Sequence, residues 1–174
     1  MDKKQAMVEE LMNSAATEDD LSGIISVLLA NRDASSLLQR SEREVRRYLS
    51  DFMVVKNEQG HILGCAALQQ YSRASAEVFS VAVLPQAQGK GVGKLLMREC
   101  LRRAKARGIK RVWLTTQESG YFAQFGYKSI SLWQLPISVL FAKLGQVFRR
   151  PPNGWLAVLS HRQTLMQLEL KRDP

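Results

Sequence analysis

The run Gln88-Gly89-Lys90-Gly91-Val92-Gly93-Lys94 constrains the fold of this chain more than any other stretch. It lies between a strand-like segment, Val78 to Pro85, and a helix-like one, Leu95 to Arg107. Glycines at 89, 91 and 93 let the backbone take positive φ and come close to a ligand. A helix that starts just after them aims its unpaired N–H groups and the positive end of its dipole back at the turn. Such a strand–turn–helix corner binds phosphate. Lys90 and Lys94 set mobile positive charge beside it.

The flanking sequence supplies a layered fold to carry that corner. Asp2 to Met12 reads as a short helix, and Thr17-Glu18-Asp19-Asp20 as a cap with an acidic first turn. Leu21, Ile24, Ile25, Leu28 and Leu29 then recur at helical spacing. Ser41-Glu42-Arg43-Glu44 is a capping box that opens a second helix through Tyr48 or Leu49. Phe52 to Val55 and Ile62 to Gln70 read as the strands of a hairpin around Asn57-Glu58-Gln59-Gly60. A third strand runs from Ala76 to Leu84 and stops at Pro85. After the glycine run, Leu95, Leu96, Cys100, Leu101 and Ala104 share one helix face, and Gly108 suits the C-cap. Val112 to Thr115 is a strand, Tyr121 to Phe125 a short helix, Gly126-Tyr127 the start of another strand, and Thr164 to Leu170 a closing strand. This order implies an α/β fold with a mixed sheet flanked by helices. The 174 residues are expected to form a single domain, 1–174, with residues 1–14 as an N-terminal extension and 137–158 as an insertion before the last strand.

Composition narrows the partners. An excess of 25 Lys and Arg over 16 Asp and Glu gives a net charge of +9 and favours anionic ligands. Nucleic acid is not expected, because no basic helix interleaved with aromatics appears. Cys65 and Cys100 have no His or Cys at metal spacing, so they read as core thiols of a reducing compartment and no metal is expected. The N-terminus lacks a continuous apolar core of the secretory kind, and no long uncharged apolar run predicts an integral membrane span. The cytoplasm is the expected location.

Three phosphate ligands compete for the glycine run. A nucleoside-triphosphate loop requires G-x-x-x-x-G-K-S/T, and Leu95 follows Gly93-Lys94 where the magnesium-binding hydroxyl belongs. A dinucleotide turn requires a third glycine where Leu96 stands and an acidic residue near Gly108-Ile109-Lys110. Gln88-x-x-Gly91-x-Gly93 resembles instead the Q/R-x-x-G-x-G/A signature of the GNAT N-acetyltransferases, in which backbone amides wrap the pyrophosphate of acetyl-CoA. Tyr121-Phe122-Ala123-Gln124-Phe125-Gly126-Tyr127 is similar to the aromatic helix end of that family. The bland alternative is a glycine loop chosen for turn geometry alone. The resemblance covers residues 15–135 and the closing strand, and implies the GNAT fold, acetyl-CoA as co-substrate and no metal.

Within that family the chain resembles most the acetyltransferase domain of the N-acetylglutamate synthases. Leu37-Leu38-Gln39-Arg40-Ser41-x-x-Glu44, Cys65-Ala66-Ala67-Leu68, Glu77-x-x-Ser80-Val81-Ala82-Val83, Leu114-Thr115-Thr116 and Leu135-Pro136 carry this narrower likeness. The likeness is to a short form without the amino-acid-kinase domain that usually precedes it, so the regulatory arginine site of that domain is not expected. The small-molecule amine acceptor implied is L-glutamate, acetylated by direct transfer for arginine biosynthesis. The rivals are a GNAT enzyme acting on another amino acid, a small amine or a protein N-terminus, and a non-catalytic acyl-CoA-binding domain.

The resemblance also distributes roles. Cofactor contacts fall on Val81, Ala82 and Val83, on Gln88, Gly89, Lys90, Gly91, Val92, Gly93 and Lys94, and on Phe122. The N–H of Val81 or Val83 polarises the acetyl carbonyl. Glu77 is the candidate general base, set against a reading as a solvated strand residue beside exposed-looking Ala74-Ser75-Ala76. Many GNAT enzymes place a tyrosine acid where Phe122 stands here, so Ser119, Thr116 or water is left to protonate the departing thiolate, and Tyr121 does so only if the register slips. Arg40, Ser80 and Arg162 are the substrate-binding candidates, since arginine forks suit carboxylates and His161 blurs the register at the last. No covalent intermediate is expected, as neither cysteine lies at the inferred site. Leu140, Phe141, Leu144, Val147 and Phe148 in the 137–158 insertion form an apolar stripe that reads as a lid, a homodimer contact, a membrane-surface helix or plain core.

Overall fold

The computed structural model describes residues 11–31, 41–134 and 163–170. They fall into two compact units, one from residues up to 69 together with 78–102, the other from 70–77 and from 103 onward.

The first unit contains β1 (Met12–Ala15), α1 (Leu21–Ala30), α2 (Glu42–Arg47), β2 (Phe52–Lys56), most of β3 (Ile62–Ser72), the latter part of β4 (Ser75–Val83) and most of α3 (Val92–Ala106). β1 and β2 pair antiparallel with Ala15 opposite Met53, and β2 and β3 pair antiparallel with Phe52 opposite Ala67. Ile24 and Val27 from α1, Val45 from α2, Phe52 and Val54 from β2, and Phe79 and Ala82 from β4 close one core. The Phe79 ring stands edge-on to Phe52 at 5.7 Å and to Tyr48 at 6.1 Å, the geometry aromatic quadrupoles prefer. Ser41 and Glu44 form the expected capping box: the Ser41 Oγ accepts from the Glu44 N–H at 3.3 Å and the Glu44 carboxylate from the Ser41 N–H at 2.9 Å.

Asp20 ties this unit together from the end of a 3-10 turn at Glu18–Asp20. Only 5% exposed, it accepts from the Thr17 N–H at 3.0 Å and hydroxyl at 3.1 Å, and its Oδ1 pairs with the Lys56 ammonium of β2 at 2.6 Å. Burial alone would raise the Asp20 carboxyl, but the bonds from Lys56 and Thr17 outweigh it and hold the group below its ordinary value. A depressed folded pKa contributes stability above the unfolded value, near pH ~4, that is lost as pH falls through the folded one. We expect Asp20→Asn to lower stability at pH 7 by about 1–3 kcal/mol and to flatten the acid limb of the stability curve. Urea melts of both proteins between pH 2 and 7 check this.

The second unit contains the hairpin tip at 70–77, the end of α3, β5 (Arg111–Thr116), α4 (Ser119–Ala123), β6 (Lys128–Ser129) and β7 (Thr164–Glu169). β5 runs parallel to the start of β4, with Glu77 opposite Trp113, and antiparallel to β7, which also pairs with β6. Trp113 is fully buried against Tyr71, Ile130 and Leu165. Gly108, at φ +68, ends α3 as its C-cap position requires. Among the described residues seven strands follow the order β1-β2-β3-β4-β5-β7-β6, the mixed, mostly antiparallel sheet with flanking helices that the sequence implies.

Several boundaries differ from expectation, among them the short helix at Ser119–Ala123, expected at Tyr121 to Phe125, and the strand at Lys128–Ser129, expected from Gly126. Met12–Ala15 is a strand rather than a helix end; all four residues are exposed, so cross-strand backbone bonds and not a hydrophobic period place them. α3 begins at Val92, not Leu95, because Val92 is buried in the same stripe as Leu96, Cys100 and Ala104; Met97 is also buried, whereas Leu95 and Leu101 are only partly so. Pro85–Ala87 adds a 3-10 turn between β4 and the glycines.

The early start of α3 depends on Gly64 of β3. A Cβ there would lie 2.8 Å from Val92 Cγ1 and 2.9 Å from the carbonyl oxygen of Ala82, which is backbone and cannot yield cheaply. Gly64→Ala is therefore expected to cost about 1–3 kcal/mol, read from the denaturant midpoint, and to disturb the first turn of α3.

Candidate functional site

The glycine run joins two rigid elements. β4 ends at Val83 and α3 starts at Val92, with Gly89 at φ +73 and Gly91 at φ +86 between them. Both glycines sit in the left-handed region that costs a residue with a Cβ about 1–2 kcal/mol. A Cβ on Gly89 would meet nothing within 4 Å, so this side of the turn lies open. The first bond of the helix runs from the Leu95 N–H to the Gly91 carbonyl at 3.0 Å, and the N–H groups of Val92, Gly93 and Lys94 precede it without an intrahelical acceptor. No acidic side chain occupies this first turn, while Lys90 and Lys94 are exposed beside it. Backbone donors, helix dipole and two ammonium groups thus make an anion cradle, and the residues present fit a pyrophosphate.

The turn is anchored at its entrance. The Gln88 amide donates to the Val83 carbonyl at 3.3 Å, which gives this side chain a structural role within the loop. Asn31, just past the end of α1, donates to the same carbonyl at 3.0 Å and to Val27 at 2.8 Å. Sequence reasoning missed Asn31; its signal was an amide residue following the last helical turn.

Along β4, Ala82 is buried and Val81 and Val83 are partly buried. Ser80 has φ +52, alone among the described non-glycine residues in taking a positive φ. Such a conformation stores about 1–3 kcal/mol, and it falls on one of the substrate-binding candidates. The Cys65 thiol donates to the Ser80 carbonyl at 3.7 Å and so supports the main chain at that candidate. Complete burial pushes its pKa up to about 12. At neutral pH it is a neutral thiol, ill suited to nucleophilic attack.

In the second unit Glu77 is only 7% exposed and accepts from the Tyr71 hydroxyl at 2.9 Å. The solvated reading of Glu77 is overturned, and with it the exposure read into its neighbours: Ser75 and Ala76 are buried. Tyr71 was missed because its relation to Glu77 follows from the hairpin and not from any motif. Its ring lies against Trp113 with centroids 5.5 Å apart.

The acid candidates gather around α4. Thr116 Oγ1 accepts from the Glu118 N–H at 2.9 Å and shapes the turn that leads to Ser119, the first residue of α4, which is partly buried. Phe122 is buried, with its ring edge-on to Tyr121 at 5.1 Å and to Tyr127 at 6.3 Å. Burial raises the pKa of Tyr121, which keeps the phenol protonated at neutral pH. Arg40, His161 and Arg162 lie outside the described residues, as do the 137–158 insertion and residues 1–10 of the N-terminal extension. Among the described residues no group of three or more His, Cys, Asp or Glu could hold a metal ion, and no helix is long and apolar enough to cross a membrane.

Residues 11–129 match the acetyltransferase (GNAT) family. The chain belongs to the GNAT acetyltransferases. Among its GNAT relatives, an uncharacterized N-acetyltransferase of Chlorobaculum tepidum is 31% identical over 117 residues, which cover 67% of this chain and 75% of that protein. An amino-acid acetyltransferase of Ralstonia nicotianae is 33% identical over 123 residues, 70% of this chain but 27% of the relative. The N-acetylglutamate synthase of Neisseria gonorrhoeae, solved with coenzyme A and N-acetyl-glutamate, superposes with a TM-score of 0.76 at 25% identity over 93% of this chain and 35% of that one. This GNAT chain therefore spans about a quarter to a third of the amino-acid acetyltransferases it resembles.

Proposed function

We propose that the protein transfers the acetyl group of acetyl-CoA to the α-amine of L-glutamate by direct attack, as an N-acetylglutamate synthase of arginine biosynthesis. Acetyl-CoA, when bound, supplies an acetyl group activated as a thioester. The backbone N–H groups of Gly89 to Lys94 and the charges of Lys90 and Lys94 hold its pyrophosphate, while Gln88, whose N–H donates to the Pro85 carbonyl at 3.2 Å, shapes the entrance of the turn. Val81, Ala82, Val83 and Phe122 line the remainder, and the N–H of Val81 or Val83 polarises the carbonyl. Glu77 takes a proton from the attacking amine, directly or through water, as the new C–N bond forms. Ser119 returns a proton to the sulfur as the C–S bond breaks. Ser80, Arg40 and Arg162 receive the amino acid, the arginines by forked bonds to its two carboxylates.

The observation that carries the catalytic part is the carboxylate of Glu77, buried on β4 and oriented by a hydrogen bond. Glutamate as acceptor is supported by the likeness to amino-acid acetyltransferases and to a synthase solved with N-acetyl-glutamate. A screen of the twenty amino acids with acetyl-CoA, following release of free thiol, tests both parts. Turnover highest on L-glutamate is expected. Glutamate inert while another amine turns over would refute the synthase reading, and acetyl-CoA binding with no turnover on any amine would refute catalysis.

A further inference from the structure

We propose that Tyr71 is a positioning residue for Glu77, an inference that rests on the reading of Glu77 as general base. The Tyr71 hydroxyl donates to Glu77 Oε2 at 2.9 Å. An ionised carboxylate only accepts hydrogen bonds, so a phenol donor matches the state in which a base must wait for its substrate. The phenol is itself held: its ring packs on Trp113 at 5.5 Å and 42°, and Trp113 is fully buried. Trp113 is also the residue opposite Glu77 in the β4–β5 register. One residue therefore meets the strand that carries the base through its main chain and the ring that aims it through its indole.

This arrangement answers a mechanical problem. A glutamate side chain on a strand turns about three torsions, the last of them broad, whereas proton transfer requires heavy atoms within hydrogen-bond reach. A bond from a tyrosine whose own ring is packed in place fixes one carboxylate oxygen and thereby orients the group. A residue that acts only by aiming the base changes turnover and leaves coenzyme affinity alone.

The test is Tyr71→Phe, which keeps the ring on Trp113 and removes the donor. Rates are measured with acetyl-CoA and whichever amino acid of the screen turns over fastest, in the full chain, alone and combined with Glu77→Gln. We expect Tyr71→Phe to lower kcat about tenfold, the share of a general base's 10²–10⁴-fold contribution that aim would carry, and to leave the KM for acetyl-CoA within about twofold. In the Glu77→Gln background the same change should alter kcat by less than about twofold, because the group it positions has gone. Effects of the two substitutions that multiply independently would overturn the proposal, as would full turnover in Tyr71→Phe while Glu77→Gln is impaired. Full turnover in Glu77→Gln would instead remove the base reading beneath it. Should Tyr71→Phe not fold, 3-fluorotyrosine at this position keeps the shape and strengthens the donor; an unchanged pH profile of kcat would then overturn the proposal.

Discussion

Glu77→Gln is expected to lower turnover about a hundredfold or more while acetyl-CoA binds as before. Glutamine has the volume of the glutamate it replaces and offers an amide oxygen to the Tyr71 hydroxyl, so the buried environment of the side chain is kept. What it cannot do is take up a proton. General bases contribute about 10²–10⁴-fold, so the loss falls on kcat and on kcat/KM alike. The glycine cradle lies elsewhere on the chain and does not involve this carboxylate. Steady-state rates by thiol release, with calorimetric titration of acetyl-CoA, separate the two quantities. Unchanged kcat would remove Glu77 from the chemistry.

The second large effect is expected at Gly89, and the structure supplies its own control. Gly89 and Gly60 have φ of +73 and +79, and a Cβ on either would meet nothing within 4 Å. Alanine at each position therefore suffers the same backbone strain, about 1–2 kcal/mol, without a steric clash in the protein. Gly60 closes the turn after Asn57, whereas Gly89 opens the cradle. We expect both variants to lose similar stability and only Gly89→Ala to bind acetyl-CoA at least about tenfold more weakly, a difference of about 1.4 kcal/mol. Equal affinities in the two variants would mean that the Gly89 side of the turn does not approach the ligand.

What could be read from the sequence was local. The Ser41 and Glu44 capping box, the stop at Pro85 and the C-cap at Gly108 each depend on a few neighbouring residues, and each appears where expected. β1 escaped because Met12–Ala15 has no buried face, only backbone bonds to a strand some forty residues away. Val92 packs where Gly64 of β3 leaves room for it, which no helical period starting at Leu95 encodes. The same distinction divides the candidate site. The position of Glu77 came from a motif, but its surroundings come from Tyr71 on one neighbouring strand and Trp113 on the other. Ser80 could be singled out by resemblance, while its left-handed backbone could not, since serine carries no general preference for it.

The doubly accepted carbonyl of Val83 bears on the thermodynamics of ligand capture. It takes one amide donor from Asn31 and another from Gln88, so both of its acceptor sites are used. The last residue of β4 is thereby pinned from the side of α1 and from the loop itself. On the far side, Leu95 is already bonded to Gly91 within α3. Between these two points Pro85–Ala87 is already a 3-10 turn, so the torsions left to be frozen when an anion settles are those of the glycine run itself. Ordering a residue costs about 1–2 kcal/mol, so each torsion settled in advance leaves more of the contact energy as affinity. On the proposed reading of the turn as the acetyl-CoA site, the Val83 clamp lowers the ordering cost of capture, and Asn31→Ala should expose this as a more unfavourable binding entropy with little change in enthalpy.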